Sequence, residues 1–211
     1  PEERTKILYM WKDDEHLLRR NEYIGEQYND FLEEDDEFNF MKALVANYIL
    51  EGIYFYSGFS FFYNLGRNGK MPGTVQEIRY INRDENTHLW LFRSLINDLK
   101  KERPDLFTEE HIKYYTAMLK EGVEQEIAWG KYAIGDNISG LNGKMIEDYI
   151  KYLGNLRAKG LGFGNLYEGY NEVPDSMKWV EEYADPNQVK TDFFEAKVSA
   201  YSKSSIIEDD L

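Results

Sequence analysis

The sequence predicts an all-α protein built as an antiparallel helical bundle, and three observations carry that expectation. Apolar residues recur at three- and four-residue intervals over long segments, no segment alternates apolar and polar residues with comparable strength, and Gly, Pro and acidic clusters punctuate the periodic stretches.

Taken in order, Ile7, Leu8, Met10 and Trp11 predict a short helix between Glu2 and Lys12. Asp13 or Asp14 then caps a helix running through LLRRNEYIGEQYNDFL. The acidic run EEDDE at 33–37 interrupts the pattern as a solvated loop or helix start. A long helix carrying Glu51 follows and ends at GRNGKMPG, where Gly66, Gly69, Pro72 and Gly73 predict a tight reversal into a second long helix. That helix stops near Lys101, ahead of Pro104, and Thr108 with Glu110 and His111 opens the next. Ile112, Tyr115, Leu119, Val123, Ile127 and Ile134 form its apolar stripe, and Gly135 with Asp136 marks its end. MIEDYIKYLGNLRAKGLG supplies the last strong stripe, through Ile146, Ile150, Leu153 and Leu156. Past Pro174 one short apolar piece remains, MKWVEEY, and from Asp185 the chain is polar to its end. Residues 1–184 thus read as a helical body and 185–211 as a flexible tail. Ile206 and Ile207, followed by Glu208, Asp209, Asp210 and Leu211, give that tail the makings of a docking peptide.

Composition narrows the function. With 211 residues and 42% hydrophobic content the chain can bury one core and demands no second domain. A net charge of −14, from 39 acidic against 25 basic residues, opposes binding to a phosphate backbone. No run of eighteen apolar residues offers a membrane span, and no signal-peptide pattern opens the sequence. The absence of cysteine removes disulfides, thiolate metal sites and thiol nucleophiles, and suits a reducing cytoplasm. Seventeen tyrosines and twelve phenylalanines fill a core, and tyrosine can also carry a one-electron hole.

The chemistry concentrates between Asn47 and Leu99. Glu51, Phe55, Phe59 and Phe62 share one helical stripe, so Glu51 is expected on an apolar face. Ile78, Ile81, Glu85, His88 and Phe92 share another, which projects Glu85 and His88 from one side, one turn apart. Counted from the turn, Glu51 and Glu85 both lie roughly 25 Å away at 1.5 Å per residue, so the hairpin places them at one level. Carboxylates gathered in apolar surroundings take up a proton or share a cation, and a metal is the economical answer. An ordinary hydrogen-bonded Glu-x-x-His pair beside a snorkelling Glu51 is the competing reading. Asp13 and His16 have the same i, i+3 spacing, but capping and solvation account for them at a charged helix start. His111 has no carboxylate partner on an apolar stripe.

At these motifs the chain resembles the small subunit of class I ribonucleotide reductase, a ferritin-like dimetal carboxylate protein. EGIYFYSGFSFFYNL, the turn with MPG, EIRYINRDENTHL, EQEIAWGKYAIGDNISGLN and YLGNLRAKGLG follow the family's order over most of Lys42 to Gly162. The resemblance implies a dinuclear Fe or Mn centre with Glu51, Glu85 and His88 as ligands, in agreement with the spacing. It implies a hydrogen-bonded electron path through Asp84, an apolar wall of Phe55, Phe59 and Ile81 around a radical tyrosine, and a tail tyrosine, Tyr201, relaying the radical to the large subunit. The implied partners are that large subunit, bound through the tail, and a second copy of the completed subunit, in the cytoplasm.

One departure qualifies the resemblance. The family's first half, which brings an Asp ligand, another Glu-x-x-His pair and the radical tyrosine, has no counterpart among these residues. The chain therefore reads as the C-terminal part of a small subunit, completed by a separate N-terminal polypeptide, or as a fragment. Uncovered by those helices, the apolar face from Leu44 to Phe62 is expected to be exposed. Two readings compete: a non-catalytic scaffold or regulatory fragment docking through its tail, and a mononuclear hydrolytic zinc site.

Overall fold

The computed structural model describes residues 2–184, and among these the regular structure is helical. The chain runs through α1 (Glu2–Tyr9), α2 (Glu15–Glu33), α3 (Glu37–Gly52), α4 (Tyr56–Arg67), α5 (Pro72–Glu102), α6 (Glu109–Ile134), α7 (Gly143–Gly160) and α8 (Lys178–Ala184). Short 3-10 turns at Met10–Lys12, Pro104–Phe107 and Asp175–Met177 join some of them. No described helix is long and apolar enough to cross a membrane.

Side-chain caps set the helix starts. Asp14 accepts from the Leu17 amide, Asp36 from Asn39, Thr108 from His111 and Asn142 from Met145, each satisfying a donor that the first turn leaves free. Thus Asp14 caps α2, and the acidic run at 33–37 separates α2 from α3 by ending one helix and capping the next. Between α4 and α5, Gly69 and Met71 both take positive φ, 72° and 48°, which closes the reversal in four residues outside the helices.

The core lies where α3 and α4 pack against α5 and α6, with α6 turning back as α7 along its length. Ile49, Ile53, Tyr63, Tyr115, Leu119, Ile146 and Ile150 are buried there. On α5 the buried residues are Val75, Asn82, Leu89 and Ile96, a strict seven-residue spacing. This stripe is not the one marked by Ile78, Ile81 and Phe92, of which two are half-buried and Ile81 is 43% exposed. The polar member of the core stripe, Asn82, donates a 2.9 Å hydrogen bond to the Tyr63 hydroxyl, which satisfies it.

Three expectations are corrected. The long helix carrying Glu51 is interrupted, since α3 ends at Gly52 and α4 begins at Tyr56. At the interruption the Ile49 carbonyl accepts from both the Ile53 and the Tyr54 amides, at 2.9 and 3.3 Å, so the chain widens by one residue before resuming. The apolar face from Leu44 to Phe62 is largely covered by α2, α5 and α6 of the same chain, with Val45, Ile49 and Ile53 fully buried. Among the described residues, exposed apolar side chains cluster instead on α1 and the 3-10 turn after it, as Ile7, Leu8, Tyr9 and Met10, and on α5, as Ile81, Trp90, Leu91 and Leu95. Finally, Leu156 faces outward while Ile146, Ile150 and Leu153 are buried. The tail from residue 185 onward lies outside the described residues.

Candidate metal centre

Glu51 is the penultimate residue of α3, and Glu85 and His88 stand one turn apart on α5. The contact of α3 with α5 brings all three together. His88 Nδ1 lies 2.8 Å from Glu85 Oε2 and 3.5 Å from Glu51 Oε2. One potential ligand atom from each residue falls within 4.8 Å of the others, and the described residues contain no second such group. The hairpin register read from the sequence therefore places these three residues at one level.

Close helix approach makes this possible. A Cβ at Gly52 would sit 2.7 Å from Leu89 Cδ2 and 3.1 Å from Arg157 Nε, so only glycine lets α5 and α7 approach α3 this closely beside Glu51. On the other flank, the Tyr28 hydroxyl donates to Asn47 Oδ1 at 3.0 Å and Asn47 donates to the Ala43 carbonyl, which fixes α3 one turn before Glu51.

The electrostatics suit a cation. Burial, then the neighbouring Glu85, pushes the Glu51 carboxyl up to about 7, against the opposing pull of His88. His88 is raised above its usual range, first by its hydrogen bond to Glu85 and also by Glu51. The cluster thus favours holding protons where a divalent cation would do the same neutralising work. Two carboxylates and one imidazole suit Fe, Mn or Zn, and offer nothing that selects a soft metal. The glutamate side chains are only 18% and 12% exposed, whereas the His88 side chain is 51% exposed, so the cluster opens to solvent on the imidazole side.

The other sequence-marked residues fall into different settings. Phe59 is buried and Phe55 half-buried, with ring centroids 6.0 Å apart on the α4 side of the cluster. Ile81 lies one turn before Glu85 on the exposed face of α5. Asp84 is turned to solvent and paired with Arg83 at 3.3 Å, away from the carboxylate cluster. Tyr201 lies outside the described residues. His16 packs on the Tyr132 ring at 4.6 Å and His111 on Phe38 at 4.9 Å, which accounts for both without a metal.

Three charged residues near the α3–α4 interruption escaped the sequence reading. Arg20 on α2 and Glu126 on α6 form a 2.7 Å ion pair with side chains 10% and 0% exposed, and Arg157 on α7 reaches Gly52 and Tyr56. Burial pushes the Glu126 carboxyl up to about 7 despite Arg20 and the Ser57 amide, which pull it down. A signal existed in α6: Gly122, Glu126 and Gly130 recur at four-residue intervals beside the apolar stripe, a small-acid-small row that solvation does not call for.

The family model described as ribonucleotide reductase, small chain, matches residues 1–174. The chain is 63% identical over 211 residues to the ribonucleoside-diphosphate reductase subunit beta of Treponema pallidum, covering all of this chain and 60% of that protein. It is 42% identical over 200 residues to the same subunit of Halalkalibacterium halodurans, covering 95% of this chain and 57% of that one. Among solved structures, the ribonucleotide reductase R2 subunit from Clostridium botulinum superposes with a TM-score of 0.82 at 49% identity, covering 88% of this chain and 58% of that one. The chain thus spans somewhat under two thirds of these relatives' lengths, and its helical architecture is the ferritin-like one of the R2 subunits. It belongs to the ribonucleotide reductase small-chain family.

Proposed function

We propose that the chain contributes Glu51, Glu85 and His88 as ligands to a dinuclear Fe or Mn centre of a ribonucleoside-diphosphate reductase small subunit. The observation that carries this is the convergence of the three donors from two helices, in a chain of that family. A centre of two metals in a four-helix carboxylate site takes about six protein ligands, so further polypeptide, an N-terminal half joined to this chain or separate from it, brings the remainder. When bound, such a centre supplies the oxidising power that generates a radical for deoxyribonucleotide synthesis. The residues here hold and orient: Glu51 and Glu85 balance the cationic charge, and His88 presents Nδ1 toward both carboxylates. Phe55, Phe59 and Ile81 form one wall of an apolar chamber once a covering helix closes over Ile81. Asp84 joins a hydrogen-bonded path only after such covering redirects it from Arg83. The tail at 185–211, with Tyr201 as relay, docks on a large subunit, and the completed protein works as a homodimer in the cytoplasm.

The test is metal analysis of the chain purified untagged from its own cells, combined with native mass spectrometry. About two Fe or Mn per completed subunit is expected, and Glu85→Ala should abolish metal binding. Unchanged metal content in that variant overturns the ligand assignment, and a metal-free chain in every complex points to the docking scaffold.

A further inference from the structure

We propose that Arg157, with the buried Arg20–Glu126 pair, is a positioning residue that holds the α3–α4 interruption in the one shape that aims the Glu51 carboxylate at Glu85 and His88. The proposal rests on the reading of Glu51 as a ligand.

Backbone groups at the interruption lose their helical partners. An interruption inside a helical path frees carbonyls on its N-terminal side and amides on its C-terminal side, and buried groups of this kind must find other partners. Gly52, Ile53, Tyr54, Tyr56 and Ser57 are all buried, so the partners come from protein. Arg157 Nε donates to the Gly52 carbonyl at 3.1 Å. Arg20 donates to the Tyr54 carbonyl, and the Ser57 amide donates to Glu126 Oε1 at 2.9 Å. Three charged side chains from three helices, α7, α2 and α6, thus take up three backbone groups within six residues.

The geometry of Arg157 goes further. While Nε holds Gly52, its terminal nitrogen donates to the Tyr56 hydroxyl at 2.9 Å, with the guanidinium 5.2 Å from that ring. One rigid fork therefore ties the last residue of α3 to the first of α4, directly beside Glu51. The Arg20 guanidinium stacks over Tyr54 at 4.4 Å, pinning the middle of the interruption.

Helix α6 is shaped to receive the same segment. A Cβ at Gly122 would lie 2.5 Å from Ile49, and one at Gly130 would lie 2.6 Å from Ser57 Oγ. The residues before and after the interruption settle into these two gaps, and Glu126 stands midway between them on the same face. Close steric contacts at Ile49 and Ser57 and polar contacts at Gly52, Tyr54 and Ser57 thus fix the segment together. A hydrophobic filler would bury them as well but would not specify where the carbonyls point. Glu51 is carried on the end so fixed, and its reach to α5 follows from that.

The experiment uses the full 211-residue chain with Co2+ as the probe. Glu51→Gln establishes that the parent binds Co2+ through the cluster. Arg157→Ala should weaken that binding by about tenfold or more, the usual effect of removing a residue that orients a ligand. Independently of metal, the ring resonances of the three histidines are compared at fixed pH. Arg157→Ala should move those of His88, which lies beside Glu51, and leave His16 and His111 in place. If Arg157→Ala does not fold, Arg157→Lys keeps the charge but cannot span both partners, and the same two shifts are expected. A folded variant with Co2+ affinity within about twofold of the parent and unmoved His88 resonances overturns the proposal. If the three donors of this chain alone do not bind Co2+, the His88 comparison decides the positioning role, and metal analysis of the completed subunit decides the ligand reading.

Discussion

Gly52→Ala tests how tightly the helix approach sets the site. The added Cβ would stand 2.7 Å from Leu89 Cδ2, where ordinary contact starts near 3.4 Å, so one wall must retreat by about 0.7 Å. Leu89 is buried in the α5 core stripe and Arg157 closes the other side at 3.1 Å, which leaves little room for a side-chain rotation alone. Forcing a methyl into such a place costs about 1–3 kcal/mol. For a chain of this size that lowers Tm by about 3–9 °C. Because Leu89 adjoins His88, the retreat also opens the 3.5 Å gap between His88 and Glu51 toward 4 Å, and Co2+ affinity should fall about tenfold. Thermal unfolding and a Co2+ titration on one preparation read both effects. The control is Gly25→Ala in α2, where an added Cβ meets nothing within 4 Å and the helix should gain about 0.5–1 kcal/mol. Parental Tm and affinity in Gly52→Ala would refute the claim that this glycine sets the spacing of the two helices.

Other expectations follow from single contacts. Between pH 5 and 8 the metal-free chain should lose stability as pH rises. Glu126 and Glu51 are both raised to about 7 in the fold, so each favours folding fully below its unfolded value near 4.5 and loses that contribution through 7, and His88 acts in the same direction. Glu126→Gln should flatten this dependence, by on the order of 2–3 kcal/mol in urea unfolding compared at the two pH values; an unchanged slope would contradict the assignment to Glu126. Tyr63→Phe strands the buried Asn82 amide and should cost about 1–3 kcal/mol in the same assay. Met71→Gly should raise Tm by relieving a left-handed backbone that costs a non-glycine residue about 1–2 kcal/mol.

How much of this was legible in the sequence depends on how local each signal was. Helix starts at Asp14 and Thr108 were readable because a capping side chain lies three residues from the amide it serves, whereas the acidic run at 33–37 marked the start of α3 without singling out Asp36. Glu51, Glu85 and His88 were readable because a short turn fixes register across a hairpin, and distance from the turn then stands in for distance in space. The interruption after Gly52 was not, since apolar periodicity continues through Ile53, Phe55 and Phe59 as though the helix did. The side chains bonded to it lie 34 residues away at Arg20, 69 at Glu126 and 105 at Arg157, distances over which periodicity carries no information. The apolar stripe of α5 misled for a related reason. Ile81 and Phe92 obey helical spacing as well as Val75 and Leu89 do, and only packing shows which row the rest of the chain covers.

The open row on α5 has a thermodynamic consequence. Ile81, His88, Leu91 and Leu95 follow one another at offsets of seven, three and four, so the exposed imidazole stands in the middle of the uncovered apolar strip. Anything that shields the strip from water also strips water from His88, and thereby alters how tightly the three donors hold a cation. By reciprocity the cation alters the grip of whatever does the shielding, by the same factor. On the proposed ligand reading, assembly and metal loading at this face are two readings of a single equilibrium, and a titration of either one reports on the other.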